Sequence, residues 1–159
     1  CKFTSGSAGT LESITIYAAY RAAVSNVKCA IFDASYNLLA NGTTEEKVVG
    51  VDQDGFLTFN FSTPPTVLAT TVYWLAWWCD VNFYMYHKAG TVNQKLYDVK
   101  TYNTWDDPLV PDSYEDREFT HFANLLIFHS RYSLESNHLN KPIARGIKLM
   151  QIAASRPPP

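Results

Sequence analysis

Thr71-Val-Tyr-Trp-Leu-Ala-Trp-Trp-Cys-Asp-Val-Asn-Phe-Tyr-Met-Tyr-His87 is the stretch of sequence that decides the fold of this chain. In a β-strand, successive side chains point to opposite faces. The first half of the stretch then has two apolar faces, one formed by Tyr73, Leu75, Trp77 and Cys79 and the other by Val72, Trp74, Ala76 and Trp78. Such a strand is either covered on both sides or carries an exposed aromatic ladder, which would be a binding surface.

The size and composition of the chain indicate one domain with a substantial core. It has 159 residues, of which 47% are hydrophobic and 14% are aromatic. A chain of this length can bury a core of its own. No apolar run approaches the roughly 20 residues that a membrane-spanning helix needs, so we expect no membrane span.

Charge is divided unevenly along the chain. The net charge is −2, yet residues 125–159 carry five Lys and Arg against one Glu, so residues 1–124 are acidic. Phosphate binding requires clustered Lys and Arg, and the acidic body therefore argues against a nucleic-acid partner. The basic segment could seek nucleic acid, but it could equally dock on an acidic protein surface.

The first 120 residues repeat a pattern of short strands and turns. Alternating apolar residues indicate strands at Leu11–Tyr20, Val27–Phe32 and Phe56–Phe61, and Asn41-Gly42 predicts a turn between two extended segments. No helical periodicity persists in this part of the sequence. The pattern predicts an all-β fold, with an antiparallel β-sandwich over residues 1–124.

Residues 125–159 depart from that pattern and are predicted to form a C-terminal arm. Within the arm, a partly helical segment is expected over 142–155, where Ile143, Ile147, Met150 and Ala154 would share one face. A sandwich does not need such a segment. We therefore expect the arm to pack either on its own body or on another copy of the chain.

Two of the three cysteines lie in apolar strands. Cys29 and Cys79 could be neighbours across the sandwich, and a disulfide between them is the expectation for an oxidising compartment. Two buried thiols are the alternative interpretation. Cys1 is left over in either case, and an intermolecular link is one role for it.

Several segments together resemble a known type of domain. They are Phe3-Thr4, residues 9–17, 27–33, 59–61, 70–76 and 118–123. In this pattern, residues 3–124 resemble a jelly-roll-type β-sandwich domain of secreted, cell-surface or virion-surface proteins. The resemblance implies an extracellular or surface location and an accessory role, such as binding glycans, attaching to surfaces or building assemblies. It carries over no set of functional residues.

Aromatic residues supply the candidate binding site. Sugar rings present flat C–H faces that stack on aromatic rings, while Asp, Asn and Gln side chains bind the hydroxyl groups. The alternatives are that these rings belong to the core, where large aromatics are often buried, or to a subunit interface. The candidate ligand-binding residues are Trp74, Trp78, Tyr84, Tyr86 and Trp105.

An acidic loop supplies a weaker candidate metal site. Calcium takes six to eight oxygen ligands, and Asp106, Asp107 and Asp112 could provide some of them. Their spacing matches no EF-hand, so a solvated loop is the competing interpretation and no cofactor is expected beyond this calcium hypothesis. The sequence has no zinc-type histidine pair, nucleophile elbow or phosphate loop, and we expect no enzyme.

These observations lead to two functional hypotheses. The first is a non-catalytic extracellular β-sandwich module that binds carbohydrate or a surface polymer through an aromatic face. The alternative is a structural subunit of a filament, capsid or surface layer, which self-assembles as a homo-oligomer through the aromatic face and the C-terminal arm.

Overall fold

The fold is described from a computed structural model. It describes residues 1–18, 23–51, 53–81, 85, 87–98, 100–102, 104–119, 121–127 and 148–153. All regular secondary structure in these ranges is β-strand, and every ladder between these strands is antiparallel. The predicted all-β, antiparallel, sandwich-like class is confirmed. Within the same ranges, no helix is long and apolar enough to cross a membrane.

The described residues contain thirteen strands. In chain order they are β1 (Lys2–Thr4), β2 (Gly9–Ala18), β3 (Ser25–Asp33), β4 (Leu38–Val49), β5 (Gly55–Asn60), β6 (Thr66–Val67), β7 (Val72–Cys79), β8 (His87–Ala89), β9 (Lys95–Tyr97), β10 (Ser113–Glu115), β11 (Arg117–Phe119), β12 (His121–Ile127) and β13 (Lys148–Ala153).

The strands form two main sheets and two small ribbons. The front sheet has the order β1-β7-β3-β4, and the back sheet has the order β13-β12-β2-β5, with β6 also paired to β2. The ribbons are the pairs β9–β10 and β8–β11. The chain therefore passes from the back sheet at β2 to the front sheet at β3 and β4, and returns to the back sheet at β5.

The main core lies between the front and back sheets. Fully buried side chains from both sheets meet there, including Ile14 of β2, Ile31 of β3 and Phe59 of β5. The alternation along β5 shows why this sequence forms a strand, because Phe59 is buried while Thr58 and Asn60 on either side are exposed. Burial of one face is what a half-buried strand with period two requires.

A second, smaller core covers the outer face of the front sheet. Phe32 of β3 and Trp74 of β7 are buried there against Leu109, which comes from the long segment after β9. Leu75 and Tyr73 of β7 point the other way, into the main core. The predicted division of β7 into two apolar faces is therefore confirmed at these residues, and both faces are covered.

The predicted turn at Asn41-Gly42 is wrong, because β4 runs through both residues as one strand. The pairing of β4 with β3 changes register twice, between Lys28 and Ala30 and between Ala30 and Phe32. Asn41 adopts a positive φ of 59°. A Cβ atom on Gly42 would lie 2.6 Å from the Leu39 carbonyl oxygen. The pair that signals a turn thus forms an irregularity inside a long strand.

The C-terminal arm departs from the predicted helix where the structure describes it. Lys148–Ala153 is strand β13, which pairs with β12 from Phe122 to Ile127. The helical prediction is therefore wrong for these six residues, because their backbone bonds extend an existing sheet. Residues 128–147 and 154–159 lie outside the described residues. The predicted boundary at residue 124 falls inside β12, so strand pairing continues across it.

The predicted disulfide between Cys29 and Cys79 is not formed. All three cysteines carry thiols. The register places Cys29 opposite Trp77 and Cys79 opposite Val27, so the two cysteines are diagonal neighbours on adjacent strands. Diagonal neighbours are about 7–8 Å apart, whereas a disulfide joins Cα atoms usually about 4.4–6.8 Å apart.

Replacing Phe59 with alanine should lower the free energy of unfolding by about 3–5 kcal/mol, because the substitution leaves a cavity in the main core. Phe56→Ala is the matched control, since Phe56 lies on the same strand and is 50% exposed. The Phe56 and Tyr17 ring centroids are 4.7 Å apart. Because Phe56 is half-exposed, we expect Phe56→Ala to lower the free energy of unfolding by only about 1 kcal/mol. Urea unfolding measures both values, and equal losses would contradict the placement of the core.

Titration of the denatured, unreduced protein should find three thiols per chain, whereas a Cys29–Cys79 disulfide would leave one. In the native protein, burial raises the pKa of the Cys29 thiol. Because the thiolate is the reactive form, Cys29 should resist alkylation until the protein unfolds. Mass spectrometry of alkylated peptides checks this, and rapid native labelling of Cys29 would contradict its burial.

Candidate functional site

A groove among the described residues follows β7 beyond the end of its pairing with β1. Strand β1 pairs with Val72–Trp74, and the Leu75 N–H donates to the Cys1 carbonyl oxygen at 2.9 Å. The groove begins there and extends past Cys79, with a volume of about 570 Å³. Its other walls come from β9, from β11 and from the segment around Trp105.

Trp74 is at the closed end of the groove and does not form an exposed platform. Only 4% of its surface is exposed. The ring of Tyr36 lies 5.4 Å from its ring, centroid to centroid, and Leu109 is packed in the same cluster. The prediction that Trp74 stacks on a ligand is therefore wrong for this structure, because the chain's own loops cover its indole.

Trp78 and Trp105, two of the predicted ligand-binding residues, are in contact in the groove. Their ring centroids are 5.0 Å apart at an interplanar angle of 48°, and both residues are partly buried. Tyr102 adds a third ring, 5.6 Å from Trp78 in an edge-to-face arrangement. Phe32, in the second core, packs against Trp105 with their ring centroids 5.7 Å apart. We call Trp78, Tyr102 and Trp105 the aromatic cluster.

A row of side chains across the front sheet holds the aromatic cluster in place. Glu46 of β4, Lys28 of β3 and Trp78 of β7 are register partners in adjacent strands. The Lys28 ammonium lies 4.7 Å from the Tyr102 ring centroid and 5.3 Å from the Trp78 ring centroid. These distances are within the range of cation–π attraction.

Tyr102 is also fixed through its hydroxyl group, which donates to Glu46 Oε2 at 2.6 Å. Burial raises the pKa of the Tyr102 hydroxyl, and the Glu46 carboxylate raises it further. The hydroxyl therefore remains a proton donor at ordinary pH. Tyr102 thus attaches its segment to the front sheet through a hydrogen bond, a cation–π pair and a ring contact with Trp78.

Tyr84 and Tyr86, the two remaining predicted ligand-binding residues, lie outside the described residues. Met85, which lies between them in the sequence, is described, and its backbone forms an isolated antiparallel β-bridge with Ala18 of β2. The part of the predicted platform that the structure describes and leaves accessible therefore consists of Trp78 and Trp105.

Two polar atoms in the groove are buried without a hydrogen-bond partner among the described residues. They are Asp98 Oδ1 and Trp105 Nε1. The second carboxylate oxygen, Asp98 Oδ2, lies 3.4 Å from Lys100 Nζ. Burial raises the pKa of the Asp98 carboxyl group, against the opposing effect of Lys100 and with a further rise from Asp112.

The predicted calcium site is not formed. Lys100 is bonded to Asp106 as well as to Asp98, so an ammonium group occupies the position a cation would take between these carboxylates. Asp107 Oδ1 instead accepts from the Leu38 N–H at 2.9 Å. Within the described part of the chain, no three His, Cys, Asp or Glu side chains are grouped as a metal site would require.

The opposite wall of the groove is also aromatic. Phe119 of β11 packs edge-to-face on Trp77 at 6.0 Å. The Lys95 ammonium lies 5.0 Å from the Phe119 ring centroid and 2.9 Å from Glu115 Oε2. Arg117 shares the same carboxylate, with its Nε 3.4 Å from Oε2. This wall thus combines rings with charges that are already paired.

Comparison of the chain with family models, with curated proteins and with solved structures found no match in any of the three. The jelly-roll resemblance therefore stays a prediction. What the chain binds has to be inferred from the groove itself.

Sequence reasoning missed Asp98, Lys95 and Lys100 as groove residues. Their neighbourhood in the sequence carries no motif, and their place in the groove depends on a long segment folding back over the front sheet. One signal was available for Lys28, because strand alternation places it on the same face as Ala30 and Phe32, where it would be a lone cation beside aromatic rings.

Replacing Tyr102 with alanine should expose Trp78 and shift the tryptophan emission to longer wavelength. Tyr102→Phe is the matched control, since it keeps the ring against Lys28 and Trp78 and removes only the hydroxyl donated to Glu46. We expect Tyr102→Phe to leave the emission unchanged and to cost about 0.5–1.5 kcal/mol of unfolding free energy. An unchanged emission spectrum in Tyr102→Ala would show that Tyr102 does not cover Trp78.

Proposed function

We propose that this chain is a non-catalytic β-sandwich module that binds carbohydrate in the groove beside β7, with sugar rings stacked on Trp78 and Trp105. The observation that carries the proposal is the pairing of these two partly buried indoles in a groove of about 570 Å³. A volume of this size is within the range of small-molecule binding sites in proteins.

The chemistry of the walls supports a sugar as the occupant. Aromatic rings supply apolar faces for the C–H surface of a sugar, and their partial burial means that they are held in fixed positions. Polar side chains line the same groove as the rings, among them Asp98 and Lys100. Rings combined with a few convergent polar groups are typical of a ligand site.

The bonded state of the carboxylates favours binding over hydrolysis. A glycosidase uses one carboxyl group as an acid and a second as a base or nucleophile. In this groove, Asp106 is held by Lys100, and Asp80 accepts hydrogen bonds from Ser25 and Asn26. Asp98 lies beside a second carboxyl group, that of Asp112, which raises the Asp98 pKa through a hydrogen bond and its charge. A hydrogen-bonded pair is closer together than the roughly 5–9.5 Å that separates the two carboxyl groups of a glycosidase.

An extracellular or surface location is part of the proposal and rests on the ligand class, because polysaccharides are abundant there. The cysteines no longer support it, since no disulfide is formed. The alternative function is a self-assembling structural subunit. Trp74 cannot serve as one of its contacts between copies, because it is buried within the protomer. That alternative stays a prediction.

Replacing Trp78 or Trp105 with alanine should weaken the binding of an oligosaccharide by at least about tenfold, or about 1.4 kcal/mol, because each substitution removes a stacking surface. Isothermal titration with a panel of oligosaccharides measures the affinity. Phe56→Ala is the control, since it removes an exposed aromatic ring from the back sheet, and its affinity should equal that of the wild type.

Three results would count against the proposal. Absence of binding across the panel would remove the carbohydrate function, and unchanged affinity in both tryptophan variants would move the site away from the groove. Release of new reducing ends during incubation would show that the groove is an active site and that the module is catalytic.

A further inference from the structure

We infer that Asn41 is the residue of this chain that accepts an N-linked glycan, attached to its side-chain amide nitrogen, Nδ2. Asn41 lies on β4, the edge strand of the front sheet. The inference rests on the extracellular location that is part of the proposed function, because such glycans are added to secreted chains. It does not depend on the groove or on what the groove binds.

The sequence contains two tripeptides of the acceptor form Asn-X-Ser/Thr, in which X is not proline. They are Asn41-Gly42-Thr43 and Asn60-Phe61-Ser62. Because such tripeptides often arise by chance, the sequence alone does not identify a site. The folded structure separates the two, since an attached glycan must project into solvent and must not displace a contact that the fold uses.

Asn41 meets both requirements. Asn41 and Thr43 are exposed, and the Asn41 side chain forms no hydrogen bond or ion pair within the described part of the chain. Its φ of 59° belongs to the irregular part of β4, between the register pairs of Leu38 and Thr43. Nδ2 can therefore carry a glycan without the loss of a contact between strands.

The amide group of Asn60 has a structural role instead, although Asn60 is also exposed. Its Nδ2 donates to Glu45 Oε1 at 2.8 Å, and its backbone N–H donates to the same oxygen at 2.9 Å. Lys47 Nζ lies 3.1 Å from Glu45 Oε1 and donates to the Thr58 carbonyl oxygen at 2.7 Å. The Asn60 amide thus joins β5 to β4, and a glycan on its nitrogen would compete with that contact.

The transfer uses a donor that comes from outside the protein, a lipid-linked oligosaccharide diphosphate. A bond forms between Asn41 Nδ2 and C1 of the first sugar, and the bond from C1 to the diphosphate breaks. The diphosphate leaves with the electron pair of that bond, and Nδ2 loses one proton. The acceptor form also requires a hydroxyl group two residues after the asparagine, which Thr43 supplies.

The experiment secretes the full chain from a eukaryotic cell line behind a cleavable signal peptide. We expect the peptide that contains Asn41 to carry a glycan, and its removal by a peptide-N-glycosidase should leave aspartate at this position. Asn60 should remain unmodified in most molecules, because its amide is bonded to Glu45. Mass spectrometry of the digested protein measures the occupancy of both sites.

Variants test the acceptor group and the hydroxyl group separately. Asn41→Asp and Thr43→Ala should each abolish the glycan, since the first removes Nδ2 and the second removes the hydroxyl group. Aspartate tolerates a positive φ as asparagine does, so Asn41→Asp preserves the backbone at this position. Thr43→Ser is the matched control for Thr43→Ala and should retain the glycan, and Asn60→Gln should leave the occupancy of Asn41 unchanged.

The outcomes separate the inference from the proposed function. An unmodified Asn41 in the secreted chain would overturn the inference, and so would a glycan on Asn60 in molecules that lack one on Asn41. Failure of the secreted, glycosylated protein to bind any oligosaccharide would instead overturn the proposed function and leave the Asn41 site standing. Urea unfolding of Asn41→Asp and Thr43→Ala confirms that a missing glycan is not the result of misfolding.

Discussion

The whole molecule depends on the need to cover both faces of β7. One face carries Tyr73 and Leu75, which are buried against the back sheet, and the other carries Trp74, which is buried against Leu109. Burying a large apolar side chain stabilises a fold by about 1.5–3 kcal/mol. A two-sheet sandwich supplies only one cover, so the segment after β9 has to supply the other.

This second cover is complete at one end of β7 and partial at the other. Trp74 is closed off by Tyr36 and Leu109, whereas Trp78 is contacted by Lys28, Tyr102 and Trp105 and stays partly exposed. The groove exists because the cover stops there. The same segment that completes the fold at Trp74 therefore leaves two indoles partly accessible at Trp78, and this is the structural basis of the proposed function.

The sequence predicted most of what strand alternation controls. It predicted the all-β class and the two faces of β7, because strand periodicity is a local property. It could not predict the cover over Trp74 or the ion pairs of Lys100, since these depend on how a long segment returns to the sheet. The disulfide prediction failed for a similar reason. Cys29 pairs with Trp77, two residues away from Cys79 on β7, and the sequence does not reveal this register.

Two further errors came from strong local signals that the tertiary structure overrides. Asn41-Gly42 is a favourable turn pair, and residues 142–155 have the spacing of an amphipathic helix. In the structure, the first becomes an irregularity within β4, and Lys148–Ala153 becomes an added strand. Backbone pairing with an existing sheet decided both cases.

The irregular pairing of β4 also protects the edge of the front sheet. β4 is the last strand in that sheet, and a long regular edge strand is a template on which another chain can aggregate. Its two register shifts bend and twist the edge, and Glu45 and Lys47 place charges along it. A strand from another molecule would have to straighten this edge and desolvate those charges before it could pair with it.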